Sequence, residues 1–152
     1  MRTLSAILLS CVALLALACG NPVSKVREAA ERSKQQNELK ELGLAIHSYN
    51  DMNGKTPKSF AEIEKSNMMM SPDAAAAVRN GQVTVVWGFL LNKSRDKVVA
   101  HRSTNGNQML VLLGDGSVQM VTQASFSTMT KAVPGQPGEK DEIDDTTKRG
   151  SR

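Results

Sequence analysis

The sequence predicts an α+β domain in which a long helix packs on a small antiparallel sheet of about four strands, with short additional helices. Three observations carry that expectation. Apolar residues recur at helical spacing from Leu39 to Tyr49. Beyond residue 82 the pattern becomes β-branched and apolar, in the runs "QVTVVWGFLL", "KVVAHR" and "NQMLVLLGDGSVQMVT". Asp115-Gly116 lies between two apolar runs, where glycine tolerates the positive φ of a tight hairpin turn. Helices and strands that segregate along a chain, rather than alternate, indicate α+β.

The first helix is expected from Ser24 to about Met52. Ser24 suits the N-cap, and Glu28 favours the positive end of the helix dipole. Leu39, Leu42, Ile46 and Tyr49 follow one another at spacings of three, four and three, which places them on one face, and Ala45 widens the stripe. The earlier half, "KVREAAERSKQQNE", has little to bury beyond Val26, Ala29 and Ala30 and reads as solvated. Asn53-Gly54 ends the helix and Pro57 fixes the following turn. Ser59 then caps a short helix, "FAEIEK", with Phe60 and Ile63 inward. Ser71 and Pro72 open another, which Gly81 stops. Among the strands, the nearly continuous apolar run Met109–Leu113 is expected at the centre of the sheet. In the last strand Val118, Met120 and Thr122 alternate with Ser117, Gln119 and Val121. "SFSTMTKAV" reads as a closing helix with Phe126 and Met129 or Thr130 inward.

The ends read differently. Residues 1–18 combine a basic start at Arg2, the apolar core "LSAILLSCVALLALA" and small residues at the exit, which is the pattern of a secretory signal peptide. The core is too short for a stable membrane span, which needs about 20 apolar residues. "ACGNP" follows, and Leu17-Ala18-Cys19 resembles a bacterial lipobox. That resemblance implies acylation of Cys19, removal of the preceding peptide, and a membrane partner held through lipid. The plainer alternative is an ordinary signal peptide with Cys19 as a bystander. By resemblance to proteobacterial lipoprotein sorting, Gly20 rather than Asp after the cysteine would permit export to the outer membrane. Residues 19–23 form the lipidated tether, 24–133 the domain, and 134–152 a charged tail. That tail, "PGQPGEKDEIDDTTKRGSR", has too few apolar residues to offset its ordering entropy and is expected to be disordered.

Cys11 and Cys19 are the only cysteines. The first leaves with the signal peptide and the second becomes a thioether, so the domain folds on its core without a disulfide or a thiol nucleophile. The net charge is +4 with both signs interspersed, and there are only three Phe, one Tyr and one Trp. Nucleic-acid binding calls for clustered Lys and Arg beside stacking aromatics, so no nucleic-acid partner is expected.

The residues with chemical potential are few. His47 and His101 are the only histidines, and with Asp115 they make up the two imidazoles and a carboxylate that a metal site uses. Asp115 in a hairpin is accounted for by the turn itself, and His47 by a polar partner beside its helix face. Met68, Met69 and Met70 are soft ligands, but consecutive residues do not converge on one point and Met commonly fills gaps. The nucleophile-elbow, zincin and phosphate-loop patterns are missing from the sequence. No cofactor, no metal and no enzymatic activity are expected.

"ELKELGLAIHSYNDMNGKTP" resembles the post-membrane helix of a bacterial pilin-like family, common in planctomycetes, whose C-terminal domain is named for His, nine residues, then Asp-Gly. Leu39, Gly43, Leu44, His47, Tyr49, Gly54 and Pro57 match its helix and turn. His101, Asn105, Gly106 and Asp115-Gly116-Ser117-Val118 resemble its C-terminal part. Here thirteen residues separate His101 from Asp115, and the prepilin leader with its apolar helix is missing. The resemblance implies a pilin-like or pseudopilin-like fold rather than an activity. Two functions follow as expectations. One is a lipid-anchored cell-envelope protein with a structural or interaction domain, held at the extracytoplasmic face of the cell membrane or outer membrane, and with an envelope protein as partner. The other is a periplasmic ligand-binding or metal-dependent hydrolytic protein using His101 and Asp115.

Overall fold

The computed structural model describes residues 22–104 and 106–136. The signal peptide, Cys19, Asn105 and most of the charged tail therefore lie outside the described residues. The chain divides into two units, Met1–Ser33 and Lys34–Arg152. Helix α1 runs from Pro22 to Asn53, so Ser24 lies inside it rather than at its cap. Proline suits the first turn, where its missing N–H would have had no helical acceptor. In the first unit Val23 and Val26 are exposed, and Arg32 pairs with Glu28 one turn earlier.

In the second unit, α1 carries the stripe read from its sequence. Leu39, Leu42, Ala45, Ile46 and Tyr49 are all buried. The helix stops where Gly54 adopts φ +65° and returns its N–H to the Asn50 carbonyl at 2.7 Å. Helix α2, Phe60–Lys65, is stabilised at its start differently from expectation. Ser59 makes no side-chain cap; instead Glu62 reaches back to accept the Lys58 N–H at 2.9 Å. Helix α3, Pro72–Arg79, has the expected cap, with Ser71 Oγ accepting the Ala74 N–H. The Ser71 N–H donates in turn to Glu41 of α1 at 2.8 Å, which ties the two helices together.

The sheet is an antiparallel meander in the order β1-β2-β3-β4. Its strands are β1 (Thr84–Val85), β2 (Val98–Thr104), β3 (Gln108–Leu113) and β4 (Val118–Thr122). β1 is far shorter than its apolar run. Gly88 adopts φ +68° and turns the chain, so that its N–H goes to the Pro57 carbonyl and its own carbonyl accepts from Gly135. β3 is central and is covered on both faces. Leu110 and Leu112 pack with the α1 stripe, Ile63 and Phe89, while Met109, Val111 and Leu113 pack with Val98 and Phe126. An unbroken apolar run is what burial on two faces requires. β2 serves both faces through a bulge: the register shifts between Val98 and Ala100, which lets Val99 and Ala100 face the main cluster while Val98 faces the other.

Helix α4, Gln123–Thr128, covers the second face, capped by Thr122 Oγ1 on the Ser125 N–H. It ends sooner than the sequence indicated. Phe126 is buried and Met129 packs beside it, but Thr130 is exposed and the chain turns extended to pair with β2, with Ala132 N–H donating to the Val98 carbonyl at 2.9 Å. The domain's pairing continues through Pro134, opposite Phe89, and Gly135, two residues past the boundary at 133 read from the sequence. In β4 Val118 packs on the main cluster and Val121 on the other, while Met120 is exposed.

Candidate functional site

The residues singled out for chemistry do not form one site. His47 sits on α1 beside the buried stripe and meets the β3–β4 hairpin. Its Nε2 lies 3.0 Å from the Gly114 carbonyl, which can only accept, so Nε2 carries the proton of that bond. Two glycines shape the hairpin beside it. A Cβ on Gly116 would stand 3.6 Å from His47 Nε2, and one on Gly114 would overlap the Ser94 carbonyl at 2.0 Å. Gly43, one turn earlier on α1, brings the helix close to the sheet, since its Cβ would meet Leu112 Cδ1 at 3.0 Å. Helix and hairpin thus form a clasp built on absent side chains and one imidazole.

Asp115 occupies the tip of that hairpin. Its carboxylate accepts the Ser117 N–H at 2.9 Å, and its own N–H donates to the Arg95 carbonyl. The Ser117 N–H holds the carboxyl below the usual aspartate range, because a backbone donor stabilises the charged form. The group is exposed and is used by its turn.

His101 points the other way. On β2, Ala100 and Arg102 face α1, so His101 between them faces α4. Its ring lies 4.6 Å from that of Phe126, and Lys131 Nζ lies 4.6 Å from the same Phe126 ring. Burial, with Lys131 nearby, holds the imidazole below its ordinary value and favours the neutral form. His47 and His101 therefore lie on opposite sides of the sheet, and neither joins Asp115 in a ligand set. Among the described residues no group of three His, Cys, Asp or Glu side chains is placed to hold a metal ion. The methionine run does not converge either: Met68 and Met70 pack against the main cluster and Met69 is 96% exposed.

One polar feature escaped the sequence reading. Glu38 and Arg102 are almost fully buried and pair at 2.5 Å, with Gln82 Oε1 3.4 Å from the other guanidinium nitrogen. A signal existed. Glu38 stands four residues before Leu42 and Arg102 two after Ala100, so each charge occupies the core phase of its own element.

Among the described residues no helix is long and apolar enough to cross a membrane. No family model, curated protein or solved structure matches the chain.

Proposed function

We propose that the protein is a lipid-anchored protein of the cell envelope, with a non-enzymatic structural or interaction domain of pilin-like type on the extracytoplasmic face of the cell membrane or outer membrane. The observation that carries this reading is Cys19 at the end of the apolar stretch "LSAILLSCVALLALA", with Leu17 and Ala18 before it and Gly20 after it. Acylation there supplies an anchor without a protein span. Each buried methylene contributes about 0.8 kcal/mol, and two or more chains hold firmly where one binds reversibly.

The domain supports an interaction role through what its suggestive residues already do. His47 and Asp115 serve the helix–hairpin joint, and His101 packs on Phe126. The long helix on a four-stranded meander is the arrangement that the pilin-like resemblance implies, and an envelope protein is the expected partner class.

The test is metabolic labelling of cells with clickable palmitate. The wild-type chain takes up label and remains in the membrane fraction, whereas Cys19→Ser loses both. An unlabelled wild type, or equal labelling of Cys19→Ser, overturns the anchor. Co-purification from detergent extracts then identifies the neighbour.

A further inference from the structure

The outer edge of β4 is open. Val118–Thr122 pairs with β3 on one side and, among the described residues, with no strand on the other. The register decides which backbone groups face outward. Leu113 N–H donates to the Ser117 carbonyl, and Val111 and Met109 stand opposite Gln119 and Val121. Hydrogen-bonded and non-hydrogen-bonded pairs alternate along an antiparallel ladder, so Ser117, Gln119 and Val121 turn their backbone groups towards β3. Val118, Met120 and Thr122 turn theirs outward, and among the described residues no backbone partner meets those of Val118 and Met120.

Sheet edges of this kind are normally protected by lysine, proline, a bulge or a covering element. Among the described residues none of these protects β4. The ten residues Gly116–Ser125 contain neither charge nor proline, and the β3–β4 register runs without a shift. α4 follows directly but folds beneath the sheet, where Phe126 meets His101 of β2, and so leaves the edge uncovered. The opposite edge offers much less, since β1 is two residues long.

We propose that β4 is a self-pairing edge that joins two copies of this chain through an antiparallel β4–β4 ladder centred on Gln119. In that register the outward groups of Val118 in one copy meet those of Met120 in the other, while Thr122, the third outward residue, serves as the N-cap of α4. Val118 and Met120 share a face, so the 41% exposed Met120 covers the second copy's Val118. On the other face Gln119 stands opposite its twin, where two carboxamides donate and accept reciprocally. A neutral strand of this composition favours its own copy over a charged peptide, for which the edge has no complementary charge. This two-fold contact is self-complementary, as an isologous interface must be. It rests on reading the domain as an interaction module and does not require the lipid anchor.

The test is disulfide trapping of the full chain in intact cells. Gln119 is exposed and occupies the non-hydrogen-bonded central pair, whose Cα separation of about 4.5 Å falls within the disulfide range. Mild oxidation of Gln119→Cys is expected to give a reducible dimer, with none from the wild type or from Val133→Cys, an exposed site off the edge. Adding Met120→Pro removes one outward donor while sparing the β3 ladder, and is expected to abolish the dimer. Absence of the Gln119→Cys dimer, equal trapping through Val133→Cys, or full trapping despite Met120→Pro overturns the pairing. Palmitate labelling of the same samples separates the two ideas, because a labelled but untrapped chain keeps the anchor and refutes the ladder.

Discussion

Removing the Glu38 carboxylate tests the least expected contact in the core. Glu38 and Arg102 are 9% and 8% exposed, and their side chains meet at 2.5 Å. Arg102 has little else to turn to: its Nε has no partner, and Gln82 stands 3.4 Å from Nη2. Glu38→Ala therefore leaves a buried guanidinium without its carboxylate. Breaking a buried pair from one side costs about 3–5 kcal/mol, because the uncompensated charge remains. Against a total of roughly 5–15 kcal/mol for a domain, that is a large share of the stability. The double variant Glu38→Met/Arg102→Met removes both charges at similar volume and should be neutral or stabilising by about 1–4 kcal/mol. Urea unfolding of the three chains measures this directly, with an unchanged slope showing that the denatured state is not the cause. A loss below about 1 kcal/mol for Glu38→Ala, or a double variant as unstable as the single, would refute the reasoning.

Two further outcomes follow from the hairpin and from the second face. Gly114→Ala forces a Cβ to within 2.0 Å of the Ser94 carbonyl, which is backbone in a buried turn, so a loss of about 3 kcal/mol or more is expected. Gly54→Ala meets open space and bears only the strain of φ +65°, about 1–2 kcal/mol, so equal melting temperatures for the two variants would count against the clash. His101 is held below the ordinary histidine value of 6.5 by burial and then by Lys131. The unfolded chain then takes up the proton first as pH falls, so this contribution to stability is present above about 6.5 and is lost as pH drops through the folded value. Urea midpoints at pH 8 and pH 5 should differ less in His101→Gln than in the wild type, and an identical difference would remove His101 as the cause.

The parts of the fold that follow from period and punctuation were legible in the sequence. The Leu39–Tyr49 stripe, the Asp115-Gly116 hairpin and the central position of Met109–Leu113 each rest on a local pattern with one strong physical cause. What was not legible depends on distant partners. "QVTVVWGFLL" has the composition of a strand, yet Gly88 breaks it because Pro57 and Gly135 engage its backbone. "SFSTMTKAV" stops being helical at Thr128 because β2 offers Thr130 and Ala132 a ladder. The Ser59 cap failed because Glu62, also bonded to Tyr49 at 3.0 Å, took the capping role. For the candidate site, the readings of Asp115 as a turn residue and His47 as a helix-face residue with a polar partner match the structure. The Glu38–Arg102 pair went unread because composition treats charges as surface, even where their phase places them inside.

Several of the residues that look most like a signature are already engaged in contacts between elements. Gly43 lets α1 approach Leu112, His47 bonds Gly114, and Tyr49 bonds Glu62. Gly54 ends α1, the Pro57 carbonyl receives Gly88, and Asp115 closes the hairpin on Ser117. A general base or metal ligand needs a lone pair directed into space that a substrate can enter. Here the His47 nitrogen that faces the hairpin donates to a carbonyl, and the His101 ring lies against an aromatic face. These residues join α1 to the hairpin and to the segments that follow the helix, so the pattern specifies contacts between elements. By contrast, among the described residues the outer side of β4 leaves hydrogen-bonding capacity open in regular register at Val118 and Met120. Backbone groups at a fixed spacing with no charge around them recognise another strand far better than they recognise a small molecule. A second copy of the chain, as proposed above, would supply the complementary strand at this edge.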